Sequence, residues 1–146
     1  MKIALRKVTA DTVRSICDLS VSDNQKSFVA PNAVSIAQAY FYDFAWFRAI
    51  YSDDKPVGFV MLSDRPELPE YYLWRFMIDK RYQNKGYGKQ AIELLVDYVK
   101  SRPKADVLWT SVIQSRGGPQ KFYEKQGFKL TGEYKEGEAL MTLELT

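Results

Sequence analysis

The chain has 146 residues, of which 46% are hydrophobic, 14% aromatic and 27% charged, with a net charge of +3. That length and balance fit a single domain over residues 1–146 and exclude a disordered, collagenous or repetitive chain. Histidine is absent and cysteine occurs once, at Cys17. Those two facts rule out Ser-His-Asp and Cys-His catalysis, an internal disulfide and the common zinc sites, so no metal is expected.

The basic start Met1–Lys7 is not followed by an apolar stretch of signal-peptide length. No apolar run approaches the roughly 20 residues that cross a bilayer, so a cytoplasmic protein without a membrane partner is expected. Lysines and arginines are scattered rather than gathered in a block, which argues against nucleic acid.

In chain order, Ile3–Val8 reads as a first strand. Asp11 is placed to cap a helix bearing Val13, Ile16, Cys17 and Leu19 on one side. A polar stretch from Ser22 to Asn32 follows. Ser35 then stands as the cap of a second helix, with Ile36, Ala39, Tyr40 and Phe44 as its apolar side. Trp46–Tyr51 and Val57–Leu62, joined by Asp53-Asp54-Lys55-Pro56, read as a hairpin. A loop with two prolines, around Arg65–Glu70, leads to a longer strand, Tyr71–Ile78.

Gln83–Lys89 is a glycine-bearing turn opening a helix on which Ala91, Ile92, Leu95, Tyr98 and Val99 recur at helical spacing, ended by Pro103. Val107–Ile113 is another strand. Pro119 and Gly127 bracket a short helix, and Phe128–Thr131 with Ala139–Leu145, turning at Glu136-Gly137, form a last hairpin. The order β-α-α-β-β-β-α-β-α-β-β describes a mixed α/β domain.

The strand-turn-helix unit carries the chemistry. Gly86 and Gly88 remove side chains where backbone could approach a ligand. The helix they open presents unpaired N–H groups and the positive end of its dipole, which suits a pyrophosphate, with Lys85 and Lys89 beside it. On residues alone the same turn could be a tight connection, since neither the Walker spacing nor the three-glycine dinucleotide pattern is present.

Gln83-x-x-Gly86-x-Gly88 after Phe76-Met77-Ile78 resembles the acetyl-CoA pyrophosphate loop of GNAT acetyltransferases. Phe122-Tyr123-Glu124-Lys125-Gln126-Gly127-Phe128 resembles a second segment of that family, with Thr131-Gly132-Glu133 as a common continuation. The resemblance runs over nearly the whole chain. It implies a GNAT-like domain with a central, mostly antiparallel sheet flanked by helices. It also implies an acetyl-CoA-dependent N-acetyltransferase that acts by direct attack of an amine.

By resemblance, backbone groups of Met77 and Ile78 hold the pantetheine arm, and N–H groups of Gln83, Asn84, Lys85, Gly86, Tyr87, Gly88 and Lys89 hold the pyrophosphate. Tyr123 matches the tyrosine that protonates the departing thiolate in many members. The asparagine found about seven residues earlier in many relatives is here Arg116, in a segment that resembles a subgroup entering its helix through Gly118-Pro119.

Deprotonation of an amine without histidine calls for a carboxylate working through water. Glu67 and Glu70 precede the cofactor strand. Gln25 and Phe28 with Val29-Ala30-Pro31-Asn32, and later Tyr72–Asp79, look like bacterial acetyltransferases of spermine, spermidine and diamines. A polyamine acceptor would need carboxylates and aromatic rings. Asp18, Asp23, Asp43 and Glu70 with Tyr40, Tyr71, Tyr72 and Trp74 are the candidates. Another amine (a protein N-terminus, a lysine or an antibiotic), a longer acyl group, or a non-catalytic acyl-CoA-binding regulatory domain remain alternatives, and a homodimer is compatible.

Overall fold

The computed structural model describes residues 2–146. Strands β1 (Ile3–Arg6), β2 (Ala45–Ser52), β3 (Lys55–Arg65), β4 (Glu70–Ile78), β5 (Val107–Val112), β6 (Lys129–Lys135) and β7 (Glu138–Glu144) form one sheet in the order β1-β2-β3-β4-β5-β7-β6. Only β4 and β5 run parallel; every other neighbouring pair is antiparallel. Helices α1 (Val13–Cys17), α2 (Asn32–Ala39), α3 (Tyr87–Lys100) and α4 (Gln120–Lys125) complete the chain. This is the expected mixed α/β order, element for element.

The sheet buries a core on each face. One contains Tyr71, Leu73, Leu95, Val99, Leu108 and Met141, with Tyr87, Ala91 and Ile92 of α3 packed into it. The other contains Ile16 and Leu19 from the α1 region with Phe59, Met61 and Met77. The 3.6-residue apolar spacing of α3 accounts for its seat.

In β3 and β4, Met61 pairs with Arg75 and Leu62 with Leu73, so Trp74 is an extra residue, a β-bulge. The bulge reverses the alternation along β4. Tyr71 and Leu73 join the α3-side core before it, and Phe76 and Ile78 pack on that same core after it.

Local signals differ from the sequence reading at both N-terminal helices. Asp11 is exposed and caps nothing; Thr12 precedes α1, and its Oγ1 accepts the Thr9 N–H at 2.9 Å. Strand β1 stops at Arg6, two residues before Val8. Ser35 lies inside α2, which starts after Pro31, because the fixed φ of proline already suits a helix entry. Its buried hydroxyl instead accepts Arg75 Nη1 at 2.9 Å. Tyr40, expected on the apolar side of α2, is 85% exposed. Among the described residues no helix is long and apolar enough to cross a membrane.

Gly58 faces Ile78 across β3 and β4, and a Cβ there would stand 2.4 Å from the Met77 carbonyl oxygen. That oxygen is backbone and has little room to give. Gly58→Ala is expected to lower stability by about 1–3 kcal/mol, measured as a shift of the urea unfolding midpoint.

Candidate active site

Parallel strands β4 and β5 share a ladder pair at Tyr72–Trp109, and next to it the Thr110 hydroxyl donates to the Leu73 carbonyl at 3.0 Å. Beyond this point the two strands line opposite walls of a cleft of about 950 Å³. Its wall on the β4 side is Tyr72 to Ile78, and its far wall is Thr110 to Ile113 with Phe122 and Tyr123 of α4. Phe76 and Phe122 stack across it at 5.7 Å.

The amino end of α3 closes one end. Asn84 and Gly86 take positive φ, 62° and 83°, in the turn that leads into the 14-residue α3. Gln83, Asn84, Gly86, Tyr87, Gly88 and Lys89 line the cleft; Lys85 lies exposed beside them. The two glycines do different work. A Cβ on Gly86 would meet nothing within 4 Å, so its requirement is the left-handed backbone. A Cβ on Gly88 would press on Phe122 at 3.1 Å, so its bareness admits a protein ring where the sequence reading had expected a ligand. The helix dipole, the N–H groups of the helix's first turn and the neighbouring lysines Lys85 and Lys89 together can hold a pyrophosphate-sized anion.

Asp79 anchors this turn. Its carboxylate is 1% exposed and accepts Ser20 N at 2.9 Å, Arg81 N at 2.9 Å and Arg81 Nε at 2.8 Å. Burial alone would raise its pKa, but the Arg81 and Ser20 hydrogen bonds outweigh that and hold it below the ordinary 3.8. A second tether joins the segment between α1 and α2 to the turn. Gln25 Nε2 donates to Gln83 Oε1 at 3.1 Å, and Gln83 Nε2 returns a bond to Gln25 Oε1 at 2.9 Å. Gln83 Nε2 also reaches the Ile78 carbonyl at 2.8 Å. Phe28 follows on that segment and lies against Gly118.

Tyr123 sits 6% exposed in the cleft wall. Burial pushes its phenol pKa far up, and a hydrogen bond with Thr110 only partly offsets this, so the phenol keeps its proton at every ordinary pH.

Toward the other end of the cleft Tyr72 donates to Ser111 Oγ, and Ser111 donates to Glu138 Oε1 at 2.9 Å. Glu136, Glu138 and Lys135 of the last hairpin line this end, as do Trp74 and Arg75. Burial raises the Tyr72 pKa, and the carboxylates of Glu138 and Glu136 add to the rise. Burial lowers that of Arg75, whose Nη1 donates to Ser35 Oγ and Gln38 Oε1.

The acceptor-side candidates scatter. Trp74 and Tyr72 line the cleft, and Trp74 stands against the rings of Tyr42 and Phe44 at 5.7 and 6.1 Å. Asp23 is exposed and paired with Lys26 at 3.1 Å; Asp18 is exposed beside Arg14. Asp43 and Glu67 border a separate hollow beside Arg48 and Arg102. Glu70 is exposed at the start of β4, and Tyr71 is buried in the core, with its hydroxyl donated to the Pro103 carbonyl. Tyr40 is exposed away from the cleft lining. Met77 and Ile78 line the cleft, whereas Arg116 lies exposed in the loop before Gly118 and outside the lining. The sequence reading did not single out Thr110, Ser111, Glu136 or Glu138 for this site. The only signal of Thr110, Ser111 and Glu138 was alternation along two short strands, which does not say which strand lies opposite, and Glu136 lies in the turn between β6 and β7. No group of three or more His, Cys, Asp or Glu among the described residues is placed to hold a metal.

Comparison with known proteins gives a consistent picture. The family described as Acetyltransferase (GNAT) family matches residues 13–128. A spermine/spermidine N(1)-acetyltransferase of Bacillus subtilis (strain 168) is 32% identical over 152 aligned residues, covering 99% of this chain and 100% of the relative. An acetyltransferase from Thermus thermophilus superposes with a TM-score of 0.76 at 17% identity, over 99% of this chain and 97% of that one. The PaiA N-acetyltransferase from Thermoplasma acidophilum, solved in complex with coenzyme A, superposes at 0.69 with 17% identity over 99% of each chain.

The Asp79 network generates a pH-dependent outcome. A depressed carboxylate pKa adds stability above the unfolded value of about 3.9, and that stability is lost as pH falls through the lower folded value. Asp79→Asn is expected to cost about 1.5–3 kcal/mol at pH 7. The deficit should shrink as pH drops below about 4, read by urea unfolding of both proteins across an acid series.

Proposed function

The chain belongs to the acetyltransferase (GNAT) family and is an acyltransferase, and from that premise we propose that it transfers acetyl from acetyl-CoA to a primary amine in the cytoplasm, with a polyamine such as spermine or spermidine as acceptor. The observation that carries this reading is the continuous cleft from the amino end of α3 past Tyr123 to Glu138. One end suits a pyrophosphate and the other a cationic amine.

Bound acetyl-CoA would supply an activated acetyl thioester. The residues from Gln83 to Lys89 would grip its pyrophosphate through backbone N–H groups, and the open space over Gly86 fits that role. Backbone groups of Met77 and Ile78 would hold the pantetheine arm. Tyr123 would act as general acid. A thiolate leaves more easily when it gains a proton, and the buried Tyr123 phenol in the cleft wall carries one at neutral pH, although the burial that raises its pKa also makes it a weaker acid.

The polyamine part rests on two supports. The first is the full-length likeness to a relative named as a spermine/spermidine acetyltransferase. The second is that Glu136 and Glu138 line the cleft as Trp74 does, so that carboxylates for ion pairing and a ring for cation–π contact share one cleft with the cations Arg75 and Lys135. Asp23, Asp43 and Glu70 stand outside the cleft lining, so these hairpin carboxylates take over the part first given to them.

Following CoA release with a thiol reagent should give turnover with spermine or spermidine and little with amino acids or an aminoglycoside. Turnover confined to the latter amines would refute the polyamine reading. Tyr123→Phe should cut kcat roughly a hundredfold or more, in line with loss of a general acid, while CoA affinity, measured by calorimetry, stays as it was.

A further inference from the structure

Acyl transfer needs a neutral amine, yet an alkylamine with a pKa near that of lysine, about 10.4, is almost entirely protonated at pH 7. The protein has no histidine to take that proton. We infer that Tyr72, Ser111 and Glu138 form a proton wire that strips the acceptor ammonium and delivers the proton to the Glu138 carboxylate. This rests on the amine-acetyltransferase reading above, whichever amine is the substrate.

The argument is directional. Tyr72 donates to Ser111 Oγ, and Ser111 donates to Glu138 Oε1 at 2.9 Å. Both hydroxyl protons therefore point toward the carboxylate. The chain ends at the Tyr72 oxygen, whose lone pairs are left to accept a proton. Tyr72, Ser111 and Glu138 all line the cleft, so the accepting end stands where an amine can reach it. Tyr123 is close enough for the two phenols to influence one another's charge.

Position on β5 explains why two hydroxyls meet here without competing. Leu108, Thr110 and Val112 are buried, and Leu108 and Val112 belong to the α3-side core. Ser111 faces the other way, as strand alternation requires. Thr110 thus partners Tyr123 on one face of the sheet and Ser111 partners Tyr72 on the other. The acid that serves the leaving sulfur and the wire that serves the amine occupy opposite faces at the point where β4 and β5 part.

The charges around the wire set its drive. Arg75 of β4 lines the same end and feels the Glu138 carboxylate, and Lys135 Nζ of the last hairpin lies 5.6 Å from the centre of the Tyr72 ring. Both cations oppose a second positive charge at the reacting nitrogen. Glu136 and Glu138 attract the proton, and Tyr123 stays neutral.

The protons balance. The ammonium proton passes to the Tyr72 oxygen as Tyr72 gives its own to Ser111 and Ser111 gives its own to Glu138. The freed amine forms the new C–N bond as the C–S bond breaks, and Tyr123 protonates the departing sulfur. The nitrogen sheds one more proton as the amide forms, and that proton restores the Tyr123 phenol. Glu138 then releases the first proton to solvent.

The test is the pH dependence of kcat/KM and kcat for the best amine of the panel, in the wild-type protein and in Tyr72→Phe, Ser111→Ala, Ser111→Thr and Glu138→Gln. A wire matters most where the amine is protonated. The Phe, Ala and Gln variants should therefore lose on the order of a hundredfold near pH 7 and approach the wild type as pH nears the acceptor pKa, and Ser111→Thr should restore much of the rate. Equal losses at all pH values, with lowered thermal midpoints, would mean a structural role and overturn the wire. A raised KM for Glu138→Gln with an unshifted kcat profile would mean simple cation binding and overturn it too. Absence of spermine and spermidine turnover beside activity on other amines would sink the polyamine acceptor alone. An unshifted variant profile would sink the wire alone.

Discussion

One strand junction organises this molecule. β4 and β5 run side by side in parallel, meet at Tyr72 and Trp109, and are clasped next to that pair by a threonine hydroxyl on the Leu73 carbonyl. Parallel neighbours cannot be linked by a tight turn, so the chain must leave the sheet between them and return through α3. That excursion brings a helix amino terminus to one end of the opening. The return through β5 and α4 brings Tyr123 to its wall. The cleft follows from the way the sheet is wound as much as from any residue in it.

Around that opening the protein spends its buried polar groups on bracing. Asp79, almost wholly enclosed, ties the turn before α3 to Ser20, and the facing amides of Gln25 and Gln83 tie the same turn to the segment that carries Phe28. Each ionised or amide group here is matched by a partner, which low-dielectric surroundings demand. The turn before α3 and the neighbouring segment are thereby held as one piece.

Much of this was legible in the chain itself, and what escaped had a common cause. The turn Gln83–Lys89 and the segment around Tyr123 are contiguous, so their residues announced themselves together. The period of α3 and the hairpin between β2 and β3 are local patterns of the same kind. By contrast Ser111 and Glu138 come from different strands, and their meeting depends on cross-strand register that no short window contains. Asp23, Asp43 and Glu70 were chosen for charge and neighbourhood along the chain, which carries no information about facing. Ser35 had the composition of a cap, but Pro31 had already started the helix, and the hydroxyl was taken by Arg75 across the sheet.

The bulge at Trp74 shifts the parity of β4. Tyr72 before it and Met77 after it serve the same face although an odd number of steps separates them. Spacing, rather than identity, is therefore the quantity most tightly constrained between Tyr71 and Ile78. Substituting a residue there disturbs one contact. Removing one would exchange inside for outside along half the strand, setting Phe76 among the neighbours of Met77 and turning the cleft wall away from its opening. This stretch behaves like a reading frame, tolerant of changed letters and intolerant of a changed count.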